Sequence, residues 1–161
     1  MIAVDRGRWT VRAVPMPSTE RDIWDWFSVL NSKNTIAVIE KVGGFAGVGH
    51  PGSRMFNFGK GYGGLRMALI AAGIPFDEIS PQTWLNAMRI PLKKRGPARE
   101  IINKKGKSQK VPGEFTETGS QWKSRLKARA QQLYPEIDVT LKTADALLIA
   151  TYCRRREEGK L

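Results

Sequence analysis

Residues 35–39, Thr-Ile-Ala-Val-Ile, form an apolar, largely β-branched run bounded by Asn34 and by Gly43–Gly44. A run of this kind reads as a buried strand. Glu40 then puts a carboxylate where the strand gives way to glycine. A group there is either ordinary solvated edge chemistry or an acid placed for work. One residue does not decide it, so the rest of the chain has to supply partners.

The flanking sequence alternates strand and helix signals. "MIAV" and "WTVRAV" surround a four-residue Asp/Gly turn and predict a hairpin. Thr19-x-x-Asp22 resembles a capping box, ahead of a helix with Ile23, Phe27 and Leu30 on one face. Trp24 and Trp26 are read there as packing residues. A helix is expected from about Ser53 to a stop at Gly73, then a short strand in "IPFDEIS", then a helix opened by Pro81. "WKSRLKARAQQLY" predicts a basic helix broken by Pro135, and "ADALLIATYCRRRE" a last helix, apolar over most of its surface. Strands with helices between them indicate an α/β or α+β sheet covered by helices. At 161 residues the chain is expected to be a single domain, 1–161, with a basic, flexible insertion at about 92–121 that is rich in Gly, Lys and Ser.

Charge narrows the partners. The net charge of +12 and pI near 10.2 suit a polyanion, nucleic acid first. Between Lys93 and Arg129 stand Lys93, Lys94, Arg95, Lys104, Lys105, Lys107, Lys123, Arg125 and Lys127, among others, opposed only by Glu100, Glu114 and Glu117. The plain alternative is a solvated loop, but a one-signed stretch repels itself unless something neutralises it. No run approaches a membrane span, and no long helix pairs a basic face with an apolar one, so no membrane partner is expected. The lone Cys153 leaves no disulfide framework and no Cys-based zinc site, which fits a reducing cytoplasm. The N-terminus lacks the apolar core of a signal peptide. Gly47-x-Gly49-x-x-Gly52 matches a dinucleotide fingerprint in letters only. It begins several residues past the strand and follows no tight βα turn, so no nucleotide cofactor is expected. His50, the only histidine, is read as a loop residue.

Two further acids stand out by position. Asp5 ends the first apolar run, and Asp145 lies in the first turn of the last helix, between Ala144 and Ala146. Singly, each has a structural explanation: Asp favours turns, and acids favour helix N-termini. Together with Glu40 they place carboxylates at two strand ends and one helix start in a strongly basic chain.

"IAVDRG", "VIEKV" and "ADALLIA" resemble the RuvC-like branch of the RNase H-like nucleases, in particular phage and bacterial RuvC-like Holliday junction resolvases. Met55–Gly59 ("MFNFG"), Gly73-Ile74-Pro75, Pro81-x-x-Trp84 and the stretch Lys127–Pro135 follow in the order seen in that family. The resemblance covers nearly the whole chain outside the basic insertion. It implies an RNase H-like mixed five-stranded sheet flanked by helices. It also implies hydrolysis of DNA phosphodiesters with Mg²⁺ or Mn²⁺. Asp5, Glu40 and Asp145 would be the catalytic metal ligands, Asp5 bridging the ions. Hard divalent ions want carboxylate oxygens, and two of them about 4 Å apart activate water and stabilise the leaving oxygen. The implied substrate is branched DNA such as a four-way junction, cut by a homodimer in a bacterial cytoplasm or a phage-infected host cell.

The chain departs from the family at three points. Lys142 stands three residues before Asp145, where the family usually has a fourth metal-site acid or histidine. A charged lysine does not ligate a metal. Asp138 is the candidate replacement, and Lys142 a candidate contact to the scissile phosphate. The family's wedge phenylalanine is replaced by Gly43, with Phe45 the nearest aromatic for stacking on an opened base. The first hairpin also looks short, so one sheet edge is expected to be trimmed. The rival readings are a non-catalytic binder of branched DNA and a nuclease acting on RNA–DNA hybrids or flaps.

Overall fold

A computed structural model describes residues 2–4, 11–30, 32–42, 52–103 and 106–161. Ile2–Val4 (β1) pairs antiparallel with Val11–Ala13 (β2), Ile2 opposite Ala13 and Val4 opposite Val11, as the hairpin signal predicts. Helix α1 (Glu20–Ser28) opens at Thr19, whose hydroxyl accepts from the Asp22 amide at 3.1 Å. Ile23 and Phe27, one turn apart, are its buried residues, and Trp26 meets Phe27 edge-on with ring centroids 5.3 Å apart.

Ala37–Glu40 (β3) runs parallel to Phe76–Ile79 (β4), with Ala37 opposite Phe76 and Glu40 opposite Ile79. Parallel neighbours need a long crossover, and helix α2 (Gly52–Ala71) supplies it. Helix α3 (Pro81–Ala87) follows β4 directly, capped by Ser80 and opened by Pro81. Helix α4 (Gly119–Leu133) starts at a full capping box, Thr118 with Gln121. Helix α5 (Ala144–Glu157) packs against β1, β3, α3 and α4.

The apolar residues gather in two clusters. Ile23, Phe27, Ala68, Leu69 and Ile74 join α1 to the second half of α2. Leu147 and Leu148 of α5 lie in a larger cluster with Trp84, Met88, Leu126 and Val139. The one buried polar side chain there is tied off: the Thr151 hydroxyl donates to the Leu147 carbonyl at 2.8 Å. That hydroxyl has only one hydrogen, so Tyr134 is the donor in the 2.8 Å Tyr134–Thr151 bond.

Three helices stop in the same way. Amides of Ile74, Ile90 and Lys160 reach back to the carbonyls of Leu69, Leu85 and Arg155 at 3.0, 2.9 and 2.7 Å. In each case the preceding residue is left-handed: Gly73 at φ 64°, Arg89 at φ 56° and Gly159 at φ 66°. Glycine adopts that conformation without strain, and arginine does not.

Two expectations change. Instead of one five-stranded sheet, the described residues form three two-stranded ladders, β1–β2, β3–β4 and a third in the basic segment. The strands are only three or four residues long, and β1 and β3 are joined through α5 rather than by a ladder. The stretch 92–121, expected to be partly without structure, holds a hairpin of Arg99–Ile102 (β5) and Ser108–Val111 (β6). Its lysines and glycines mask the β-branched Ile101, Ile102 and Val111 and a turn closed by Asn103, whose side chain accepts from the Lys107 amide at 3.1 Å.

The hairpin base is tightly held. Gly96 donates to the Glu114 carbonyl at 2.8 Å, and Thr116 to that of Lys94 at 3.1 Å. The Arg95 guanidinium and the Lys93 ammonium lie 3.9 and 4.5 Å from the Phe115 ring centroid. Glu117 ties this base to α4 through Arg125 at 3.0 Å. At Gly113 a Cβ would stand 2.2 Å from the Pro97 carbonyl oxygen, a contact only glycine avoids. Gly113→Ala should therefore destabilise the protein by about 1–3 kcal/mol and speed amide exchange across 99–111. Gly119→Ala, which meets open space, is the control. Equal exchange in the two variants would show that this close approach does not hold the hairpin.

Candidate active site

Glu40 is placed by the β3–β4 pair. The ladder runs on past it, with the Lys41 amide donating to the Ile79 carbonyl at 2.7 Å. Because Ser80 caps α3 immediately after β4, Trp84 sits one turn into that helix, beside the end of β3. A buried indole N–H needs an acceptor. Trp84 is 2% exposed, and its Nε1 donates to Glu40 Oε2 at 3.1 Å. The Pro81-x-x-Trp84 motif thus has a mechanical role: it fixes the carboxylate at the strand end.

Asp145 comes from the other side. It is the second residue of α5, where the helix dipole favours a negative charge. Its Oδ2 is ion-paired with Lys123 Nζ of α4. Its Oδ1 is buried and has no hydrogen-bond partner among the described residues. Glu40 and Asp145 feel each other. Burial raises the Glu40 carboxyl above the usual carboxylate range and the Asp145 charge adds to this, while the Trp84 hydrogen bond and Lys123 pull the other way. Glu40 as a residue is still exposed, so the crowding acts on the carboxyl group while part of the side chain faces solvent.

The structure brings together two of the three expected acids. Asp5 follows β1 in sequence and lies outside the described residues, as do Phe45, Lys104 and Lys105. Asp138, the candidate fourth ligand, is exposed in the connection between α4 and α5, and no group of three acids, histidines or cysteines forms among the described residues. It therefore does not complete a set with Glu40 and Asp145. Lys142 is exposed in the turn leading into α5.

Several residues expected to face nucleic acid have partners within the chain. Lys93 and Arg95 lie over Phe115, Arg125 bonds Glu117, and Lys123 pairs with Asp145. Lys94, Lys107 and Lys127 belong to the same basic face of the sequence, with Lys94 and Lys107 exposed and Lys127 half-buried. Trp84 is the site residue that the sequence reading did not assign, and Lys123 was expected to meet nucleic acid rather than an acid of the site. Lys123 carried a signal, since it shares a helical face with the buried Leu126 and Ala130, where a lysine is out of place unless paired.

The solved structure of RuvC from Thermus thermophilus matches over 99% of this chain and 87% of that chain, with a TM-score of 0.51 and 16% identity. This chain has a RuvC-like fold. It is the mixed α/β, RNase H-like architecture, and at that identity the likeness speaks for the fold alone. No protein-family model and no curated protein matches the sequence. Among the described residues no helix is long and apolar enough to cross a membrane.

The donor set suits a hard divalent cation. Two carboxylates share the site, and one has a buried oxygen with no donor. Without a metal, Glu40 binds its proton more tightly in the folded protein than in the unfolded chain. That contribution to stability is complete below the unfolded carboxyl's pKa and is lost as pH rises through the folded one. Glu40→Gln keeps an acceptor for Trp84 and removes the charge. In EDTA it should melt above wild type at neutral pH, with the gap closing as the pH is lowered through the carboxylate range. A constant gap across that range would mean that Glu40 is not strained by its surroundings.

Proposed function

We propose that the protein is a metal-dependent, structure-selective DNA endonuclease that hydrolyses phosphodiesters in branched DNA, four-way junctions included. The observation that supports this most is the meeting of Glu40 and Asp145 at a strand end and a helix start in a RuvC-like fold. Glu40, Asp145 and, by its place in the sequence, Asp5 would hold Mg²⁺ or Mn²⁺. When bound, the ions would supply an activated water and charge stabilisation for the leaving oxygen.

The chain's own residues do the rest. Trp84 keeps Glu40 aimed by a hydrogen bond to one oxygen. Lys123 neutralises Asp145 and is a cation within the site that a phosphate would also find. Lys142, exposed just before α5, is the second such cation. The excess of 27 basic over 15 acidic side chains draws the polyanion to the surface.

A symmetric cut across a junction needs two sites related by a two-fold. The face of α2 away from its core offers a surface for a second copy. Phe56, Met67 and Ile70 fall on one stripe and are 72%, 61% and 57% exposed, with Gly63 between them. Ile70→Glu should shift the protein from dimer to monomer in sedimentation without lowering its melting temperature. A wild type that sediments as a monomer at working concentration would remove the dimer.

The chemistry is tested with labelled junction in Mn²⁺. Asp5→Asn, Glu40→Gln and Asp145→Asn should each lower cleavage by orders of magnitude while retaining junction binding in EDTA. Their losses should not add, because the groups act as a unit. Near-wild-type cutting by Glu40→Gln would make Glu40 only the polar end of a strand. Binding without cutting in wild type under all divalent ions would favour a non-catalytic junction binder. Preferential cutting of hybrid or flap substrates would change the substrate class.

A further inference from the structure

Arg89, Arg125, Arg129 and Gln132 line an open cleft of about 230 Å³ between the end of α3 and the outer surface of α4. No acid lines it. Arg125 and Arg129 are one turn apart on α4, a like-charge spacing that destabilises a helix on its own. Arg129 hydrogen-bonds Gln132 at 3.3 Å, which leaves its charge unneutralised. Arg125 is clamped between Glu117 at 3.0 Å and the Trp122 ring, its guanidinium 4.7 Å from the centroid. Its Nε is nonetheless buried with no acceptor among the described residues.

Arg89 adds an independent observation. It occupies the left-handed stop position of α3, where the same turn at the ends of α2 and α5 carries Gly73 and Gly159. An L-residue other than Asn or Asp is strained there. Strain of this kind persists where the side chain is used. At Arg89 the strained backbone delivers a third guanidinium to the cleft.

We propose that this cleft grips a phosphodiester of a nucleic-acid arm, at residues separate from the Glu40–Asp145 site. The guanidinium fork matches phosphate oxygens, and Arg89 and Arg129 face a lining without an acid, beside an Arg125 that Glu117 holds in place. A polymeric anion fits better than a free one. Arg125 also lines a neighbouring cleft of about 380 Å³ with Lys94, Thr116, Glu117 and Gln121, so the two clefts share Arg125, and Lys94 carries positive charge on toward the hairpin base, with Glu117 the one acid in that lining. Lys123 and Arg125 are two residues apart and project about 200° apart around α4. The helix therefore offers one face to Asp145 and another to these clefts. The assignment rests on the nuclease reading only in taking nucleic acid as the partner.

Arg89→Gly separates use from structure. It should raise the melting temperature by about 2–4 °C by relieving the left-handed strain. At the same time it should weaken binding of duplex and junction DNA in EDTA several-fold and lower the slope of log affinity against log salt by about 0.9. Arg129→Gln should lose a similar slope with a smaller thermal gain, that of relieving its repulsion with Arg125, and Arg89→Lys should keep most of the slope. Wild-type affinity and slope in Arg89→Gly would overturn the proposal, as would a fall in melting temperature together with affinity, which marks a structural arginine. Inorganic phosphate is the second probe. If it stabilises wild type but not Arg89→Gly, while DNA binding is the same in both, the cleft holds a free anion and the nucleic-acid assignment fails. Binding in EDTA involves no cleavage, so these outcomes are independent of whether Asp145→Asn abolishes cutting.

Discussion

The burial of α5 is the constraint on which the rest of the molecule depends. Ala144, Leu147, Leu148 and Thr151 are fully buried, and the helix touches β1, β3, α3 and α4. With short strands and no continuous sheet among the described residues, the parts are organised around this helix rather than around a ladder. Packing fixes its rotation, and the rotation fixes where Asp145 goes. The Tyr134–Thr151–Leu147 chain of hydrogen bonds adds a directional contact to an otherwise apolar interface.

That packing brings together charges that oppose one another. Glu40 and Asp145 are drawn close by elements that have their own reasons to pack, and burial adds to the difficulty of ionising Glu40. Lys123 relieves part of it from α4. A site in this condition gains from any cation that replaces or joins the ammonium. It is therefore least comfortable when it is ready for a ligand, a trade seen where function and stability compete.

Local signals carried much of the fold. The Thr19 cap, Pro81 at a helix start and Gly73 at a helix stop each depend on one or two residues and their backbone preferences, and each appears in the structure, as does the β1–β2 pairing that the hairpin signal predicts. The hairpin at 99–111 was hidden because composition averaged its few β-branched residues with many lysines. At the site, Glu40 and Asp145 were legible as acids at element ends. Their supports were not. Trp84 and Lys123 lie 44 and 22 residues from the acids they hold; the helical face of Lys123 signals that it has a partner but not which, and nothing local signals the contact of Trp84. Arg89 was illegible for a different reason: its interest lies in a dihedral angle that the residue type alone would argue against.

The indole that holds Glu40 has a consequence for how the site meets a ligand. A free glutamate samples many rotamers, and freezing one costs up to about 2 kcal/mol of conformational entropy. Trp84 is itself immobilised in the core and donates from a nitrogen that does not titrate. Glu40 is thus ordered when the chain folds, not when a ligand arrives. The entropic penalty is already met in the resting protein, so whatever the carboxylate binds is charged only for its own immobilisation.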